Sequence, residues 1–184
     1  IRADTHELVK FIGPPLRRSF VEFYGFTAEQ TEQAIGKYRE YFAEHGIFEN
    51  AVYPGIPALL KRLADDGRRL ILATSKAEVY AQKILEHFGL AGYFSFVCGD
   101  TLDGSRGEKA DIIRHILDSV HGIAPDNAVM VGDRRHDILG AKANNIRSIG
   151  VLYGYGDEAE MIEAGADWIA RDVPELAALL GADK

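Results

Sequence analysis

Four apolar runs in the chain each end in residues that can bind or polarise an oxygen anion. Leu70–Ala73 leads into Thr74-Ser75-Lys76, and Phe94–Cys98 into Gly99-Asp100. Ala128–Val131 leads into Gly132-Asp133, with Asp137 four residues on, and Ser148–Leu152 into Tyr153-Gly154-Tyr155-Gly156. Lys109 opens a helical stretch between the second and third of these runs. Brought together, hydroxyls, a lysine and paired carboxylates suit a phosphoryl group bound beside magnesium. That ion favours one or two carboxylates, completed by water and phosphate oxygens.

Singly, each group has a structural alternative. Thr-Ser after a strand commonly makes a turn or a cap. Asp133 reads equally as a turn residue, and Asp137 as the N-cap of a helix beginning at Ile138. A helix lysine is commonly solvated, although the dipole disfavours a cation at the helix start, where Lys109 stands. The six histidines show no ligand spacing and read as surface or incidental.

The elements that would position these groups fall into two regions. Residues 1–52 read as helical. Pro14-Pro15 forbids a helix interior, so a loop should enter a helix at Leu16–Tyr24. The run from Thr27 to Gly46 opens with a capping-box pattern, Thr27 and Gln30. Ala34, Tyr38, Tyr41 and Phe42 follow at helical spacing, and Gly46 is the expected stop. From Tyr53 onward strands and helices alternate, the junction marked by Pro54-Gly55. Helices are expected at Ile56–Asp66, Val79–Phe88, Lys109–Val120, Ile138–Asn144, Glu158–Ala164 and Val173–Leu180. Strands are expected at Leu70–Thr74, Phe94–Cys98, Ala128–Val131, Ser148–Leu152 and Trp168–Ala170. Apolar strands separated by helices imply a parallel sheet covered on both faces, with ligands beyond the carboxyl ends of its strands.

The composition, 47% hydrophobic and 27% charged over 184 residues, is that of a soluble domain with room for a small accessory unit. No apolar run approaches the roughly 20 residues of a membrane span, and no leader is evident, so a cytoplasmic protein without a membrane partner is expected. The formal net charge of −7 comes with no basic stripe, which argues against nucleic acid. Cys98 is the single cysteine and reads as a small buried hydrophobe.

The order of these features resembles the haloacid dehalogenase superfamily, most closely its phosphoglycolate phosphatase-like branch, which includes 5′-nucleotidase-like members. ATSK (73–76) looks like the second motif of that superfamily, Lys109 in RGEKADII the third, and VGDRRHD (131–137) the fourth. VYPGIPALLKRL looks like the linker returning from cap to core, and FIGPPLRRSF with the helices after it like a helical cap. Dehalogenating members typically carry serine where this chain has Asp133, so the acid points to phosphatase chemistry.

The resemblance implies an α/β, Rossmann-like core at 53–184 and a partial all-helical cap at 1–52. It implies a magnesium-dependent phosphatase acting through an aspartyl-phosphate on a small phosphorylated metabolite such as phosphoglycolate or a nucleoside monophosphate. Thr74 and the Ser75 amide would bind the phosphoryl oxygens, and Lys109 would neutralise charge in the transition state. Asp133 would ligate magnesium, with Asp137 supporting the metal directly or through water. The loop around Ile12–Leu16 would close over the leaving group; Arg17 and Arg18 could meet it but read more simply as solvated. A monomer or homodimer is expected. A catalytically inactive binding relative and a sugar phosphomutase are the alternatives.

One part of the pattern is missing. The nucleophile and acid/base of that family belong to a DxDGT motif at the tip of a central first strand, and no such motif occurs here. Asp100-Thr101-Leu102-Asp103-Gly104 has the wrong order and reads as a loop. Without that strand the sheet should open by about 10 Å between Leu70–Thr74 and Ala128–Val131. The expectation is therefore that the coding sequence continues upstream with the strand and DxDGT, and that residues 1–184 alone are inactive.

Overall fold

In the computed structural model, which describes residues 4–182, two helices of the N-terminal region pack against each other. After a short helix α1 (Thr5–Leu8), the prolines hand the chain to α2 (Leu16–Tyr24), with Pro15 in the N-cap position. Gly25 ends α2 in the left-handed conformation, at φ 64°. The helix α3 (Ala28–Phe42) carries the expected capping box: the Gln30 amide donates to Thr27 Oγ1 at 3.3 Å and the Thr27 amide to Gln30 Oε1 at 2.9 Å. It stops at Phe42, short of the glycine expected to end it. Gly46 instead begins a single 3₁₀ turn, Gly46–Phe48, which buries Ile47.

The remainder alternates helix and strand. In order come α4 (Ile56–Asp65), β1 (Leu70–Ala77), α5 (Glu78–His87), β2 (Phe94–Asp100) and α6 (Lys109–Ser119). Then follow β3 (Val129–Gly132), α7 (Arg135–Ala143), β4 (Arg147–Val151), α8 (Glu158–Ala164), β5 (Trp168–Ala170) and α9 (Val173–Leu179). All strand pairs are parallel, and the architecture is an α/β core with a helical cap. Apolar side chains of the strands and helices lock together, for example Leu59, Leu63, Ile149, Val151 and Leu176 in one cluster and Ile138, Met161 and Ala164 in another.

Three boundaries differ from expectation where the site lies. The β1 strand runs on to Ala77, but its ladder pairs Ala73 with Cys98 and next Ala77 with Asp100. Four steps on one strand against two on the other make a bulge of residues 74–76, a device that re-aims side chains. The β2 strand extends through Gly99 and Asp100. Helix α7 starts three residues early, so Asp137 is not the N-cap. Arg134 holds that position, and the Asp137 carboxylate reaches back to the Arg134 amide at 3.2 Å.

The strands form two sheets, β1–β2 and β3–β4–β5. No hydrogen bonds join β1 to β3. Their facing edges, Leu70–Ala73 and Val129–Val131, line a largely apolar cavity of about 610 Å³ roofed by Ile113 and Ile116 of α6.

Candidate active site at the strand tips

Lys109 ties the two half-sheets together. Its ammonium donates to the Ala73 carbonyl at 2.9 Å and pairs with Asp137 Oδ1 at 2.8 Å. Both side chains are only 10% exposed, so the cation at this helix start is compensated by a carboxylate and a carbonyl rather than by water. The α7 helix can bring Asp137 this close because residue 132 is glycine: a Cβ there would fall 2.2 Å from Asp137 Cβ. In the bulge of β1, Thr74 Oγ1 accepts the Lys76 amide at 3.2 Å. The neighbouring Ser75 hydroxyl is buried and finds no partner among the described residues.

Asp133 is held differently. The turn after β4 wraps it, the Tyr155 amide donating to Oδ2 and the Gly156 amide to its backbone carbonyl, both at 2.9 Å. Gly154 lies so near that a Cβ would stand 2.3 Å from Oδ2. No cation pairs with Asp133 among the described residues. Tyr53 and Tyr153 meet edge to face beside it, with ring centroids 5.3 Å apart. Burial, then the Asp133 charge, raises both phenols, Tyr153 to about 12, so both stay protonated at neutral pH. Asp133 thus keeps one oxygen free of partners among the described residues, whereas Asp137 has both oxygens engaged. That donor set fits a hard cation at Asp133 better than at Asp137. No cluster of three or more His, Cys, Asp or Glu side chains able to hold a metal occurs among the described residues.

The cap is pinned over these groups. Arg17 forks onto Glu32 at 2.6 and 2.9 Å and reaches the Leu102 carbonyl at 3.4 Å; Arg39 donates to the same carbonyl at 2.7 Å. Arg18 is shared between Glu22 and Glu108. Arg17 is therefore half-buried and paired, not the solvated arginine expected, while Arg18 is exposed. Arg134 donates to Glu160 at 3.0 Å and to the Ile12 carbonyl in the loop before α2, linking the Asp133 turn to the cap.

The DTLDG segment is a loop, as expected. Asp100 Oδ1 accepts the Thr101 and Arg106 amides, and Asp103 accepts the Ser105 amide and the Thr101 hydroxyl. Those bonds hold the Asp103 carboxyl down at about 2. The loop is a platform that offers Leu102 O to the cap.

Sequence reasoning gave no individual role to Lys76, Arg134 or the Tyr53–Tyr153 pair, and read His136 as incidental. His136 is half-buried, and its pKa is lowered by burial and by nearby Arg134 and Arg18. The available signal was position alone: Lys76 and Arg134 adjoin residues already singled out.

A family model described as haloacid dehalogenase-like hydrolase matches residues 2–151. The chain is 45% identical over 158 residues to a 5′-nucleotidase of Pseudomonas aeruginosa, an alignment covering 86% of this chain and 71% of that protein. It is 39% identical over 173 residues to the tyrosine-protein kinase PtkA of Mycobacterium tuberculosis, covering 92% of this chain and 58% of PtkA. To a phosphoglycolate phosphatase of Neisseria meningitidis it is 37% identical, covering 81% and 64% respectively. A crystal structure of a predicted phosphatase from Clostridium acetobutylicum superposes with a TM-score of 0.94 at 47% identity, covering 97% of this chain and 82% of that one.

Proposed function

The chain belongs to the haloacid dehalogenase-like hydrolase family, and within it we propose a magnesium-dependent phosphatase that hydrolyses a small phosphomonoester through an aspartyl-phosphate. One observation carries the reading: the Lys109 ammonium joins the end of β1 to Asp137 at the start of α7, at the Ala73 end of the cavity between the half-sheets. A parallel strand seated in that cavity would complete the ladders of β1 and β3 and deliver its last residue beside Lys109, Thr74 and Asp133. The nucleophilic aspartate of the proposed reaction belongs there.

Thr74 and the Ser75 amide would orient the phosphoryl oxygens. Lys109, fixed from two sides, would meet the charge that builds on them, where preorganised electrostatics contribute most. Asp133 would hold magnesium, which when bound supplies charge neutralisation at the phosphoryl group. Asp137 would act through Lys109 and the Arg134 amide rather than as a ligand. The cap, pinned through Arg134 and Arg39, would exclude water from the leaving group. The names of the P. aeruginosa and N. meningitidis relatives support a phosphomonoester substrate. The PtkA name is compatible with the same phosphoryl-handling groups.

The test is release of phosphate by the full-length protein, with and without magnesium, from phosphoglycolate, nucleoside monophosphates and sugar phosphates. Magnesium-dependent release from at least one is expected. Release from none refutes the proposal, and isomerisation of a sugar phosphate without net hydrolysis would favour a mutase.

A further inference from the structure

The cleft between cap and core holds several cations, and nearly all are committed to a partner. Arg17 is forked on Glu32, Arg18 is shared by Glu22 and Glu108, Lys109 is paired with Asp137, and Arg134 with Glu160. Arg39 is spent on a carbonyl. Lys76 is different. Among the described residues its ammonium meets neither a carboxylate nor any hydrogen-bond acceptor. It stands instead over the Phe42 ring of α3, 4.5 Å from the centroid. The side chain is open to solvent, yet enough protein surrounds it that burial lowers its pKa.

The bulge in β1 is what sends Lys76 to the cap. Residues 74–76 leave the ladder together, so the hydroxyl expected at the phosphoryl group and this ammonium belong to one short turn, tied by the 3.2 Å bond from the Lys76 amide to Thr74 Oγ1. The aromatic surroundings are already engaged. Tyr38 stacks on Phe42 at 5.0 Å, and Tyr80 meets it edge-on at 5.4 Å. At Phe42 an incoming group therefore meets a cation rather than a free ring face. A cation over an aromatic face keeps its N–H donors unspent, and its desolvation is uncompensated until an anion arrives.

We propose that Lys76 is a specificity-determining residue that receives an anionic group on the leaving-group side of the substrate, so that phosphomonoesters of small carboxylate-bearing alcohols are preferred over esters of uncharged alcohols. This rests on the phosphatase reading above.

The experiment compares kcat/KM of the full-length protein for 2-phosphoglycolate and for ethyl phosphate, in wild type, Lys76→Met and Lys76→Arg. Met keeps the length and apolar contact with Phe42 but lacks the charge. Hydrogen bonds between charged groups are worth enough to expect about a tenfold or greater fall in the phosphoglycolate-to-ethyl phosphate ratio on Lys76→Met, mainly through KM. Lys76→Arg should recover most of it. A ratio that stays within about twofold, or a wild type that prefers ethyl phosphate, overturns the proposal. If no ester is hydrolysed the phosphatase reading fails separately. Calorimetric binding of 3-phosphonopropionate against propylphosphonate then still decides on Lys76: an equal preference in wild type and Lys76→Met overturns it.

Discussion

Replacing Gly154 with alanine tests whether the turn after β4 positions Asp133. The glycine φ is ordinary, so the effect is steric alone. The added Cβ would stand 2.3 Å from Asp133 Oδ2 and 2.4 Å from Asp133 Cβ. Carbon and oxygen settle well beyond 3 Å, so the carboxylate or the turn must retreat by about 1 Å. Such overpacking costs about 1–3 kcal/mol, which in a chain of this size lowers Tm by about 2–12 °C. The retreat also strains the Tyr155 amide bond, now 2.9 Å, which fixes one oxygen of Asp133 and leaves the other free. Magnesium demands near-ideal geometry, and loss of such an orienting contact typically weakens metal affinity by about 10–100-fold. The assay is a magnesium titration followed by thermal shift, alongside the magnesium dependence of phosphate release. A Gly154→Ala protein with wild-type magnesium affinity would refute the role given to the turn, and with it the assignment of Asp133 as ligand. A lowered Tm with unchanged magnesium affinity would refute it equally.

Asp137→Asn leaves Lys109 as a buried cation without its counter-charge, and should lower Tm by about 6–20 °C as well as activity; an unchanged melting curve would contradict the pairing. Arg134→Met should free the loop before α2, seen as faster amide exchange around Phe11–Gly13, and equal exchange would show that the cap is held elsewhere. Gly36 lies within α3 with open space where its Cβ would be, so Gly36→Ala should stabilise by about 0.5–1 kcal/mol in chemical denaturation. Lys76→Met should raise Tm at neutral pH, because the folded state there carries a partly desolvated cation. With the folded pKa below the ordinary 10.5, that penalty is complete below the folded value and disappears as pH rises toward 10.5. A gain in Tm that does not shrink with pH would mean that packing, not charge, is responsible.

Much was legible from local pattern because the forces behind it are local. The Thr27–Gln30 cap, the α2 start after Pro14-Pro15 and the strand–helix alternation each depend on neighbours within a few residues. Each matches the structure within a few positions. The residue types at the strand tips were legible too, since a parallel sheet points its carboxyl ends one way. The break between Leu70–Thr74 and Ala128–Val131 was expected from a motif that does not occur, and the cavity lies between those two segments.

What the sequence could not decide depends on groups far apart in the chain. Nothing near Asp137 says that Lys109 will take one of its oxygens, or that Arg134 will fix the other and thereby begin α7 three residues early. Nothing near Lys76 reveals a bulge, because bulges arise from the mismatch of two ladders, here β1 against β2. Only the tertiary structure put Phe42, the last residue of α3, under the lysine and left it without a carboxylate among the described residues. Sequence named the kinds of atoms that gather at the site; the tertiary structure decided which charges are cancelled on folding and which stay unpaired among the described residues.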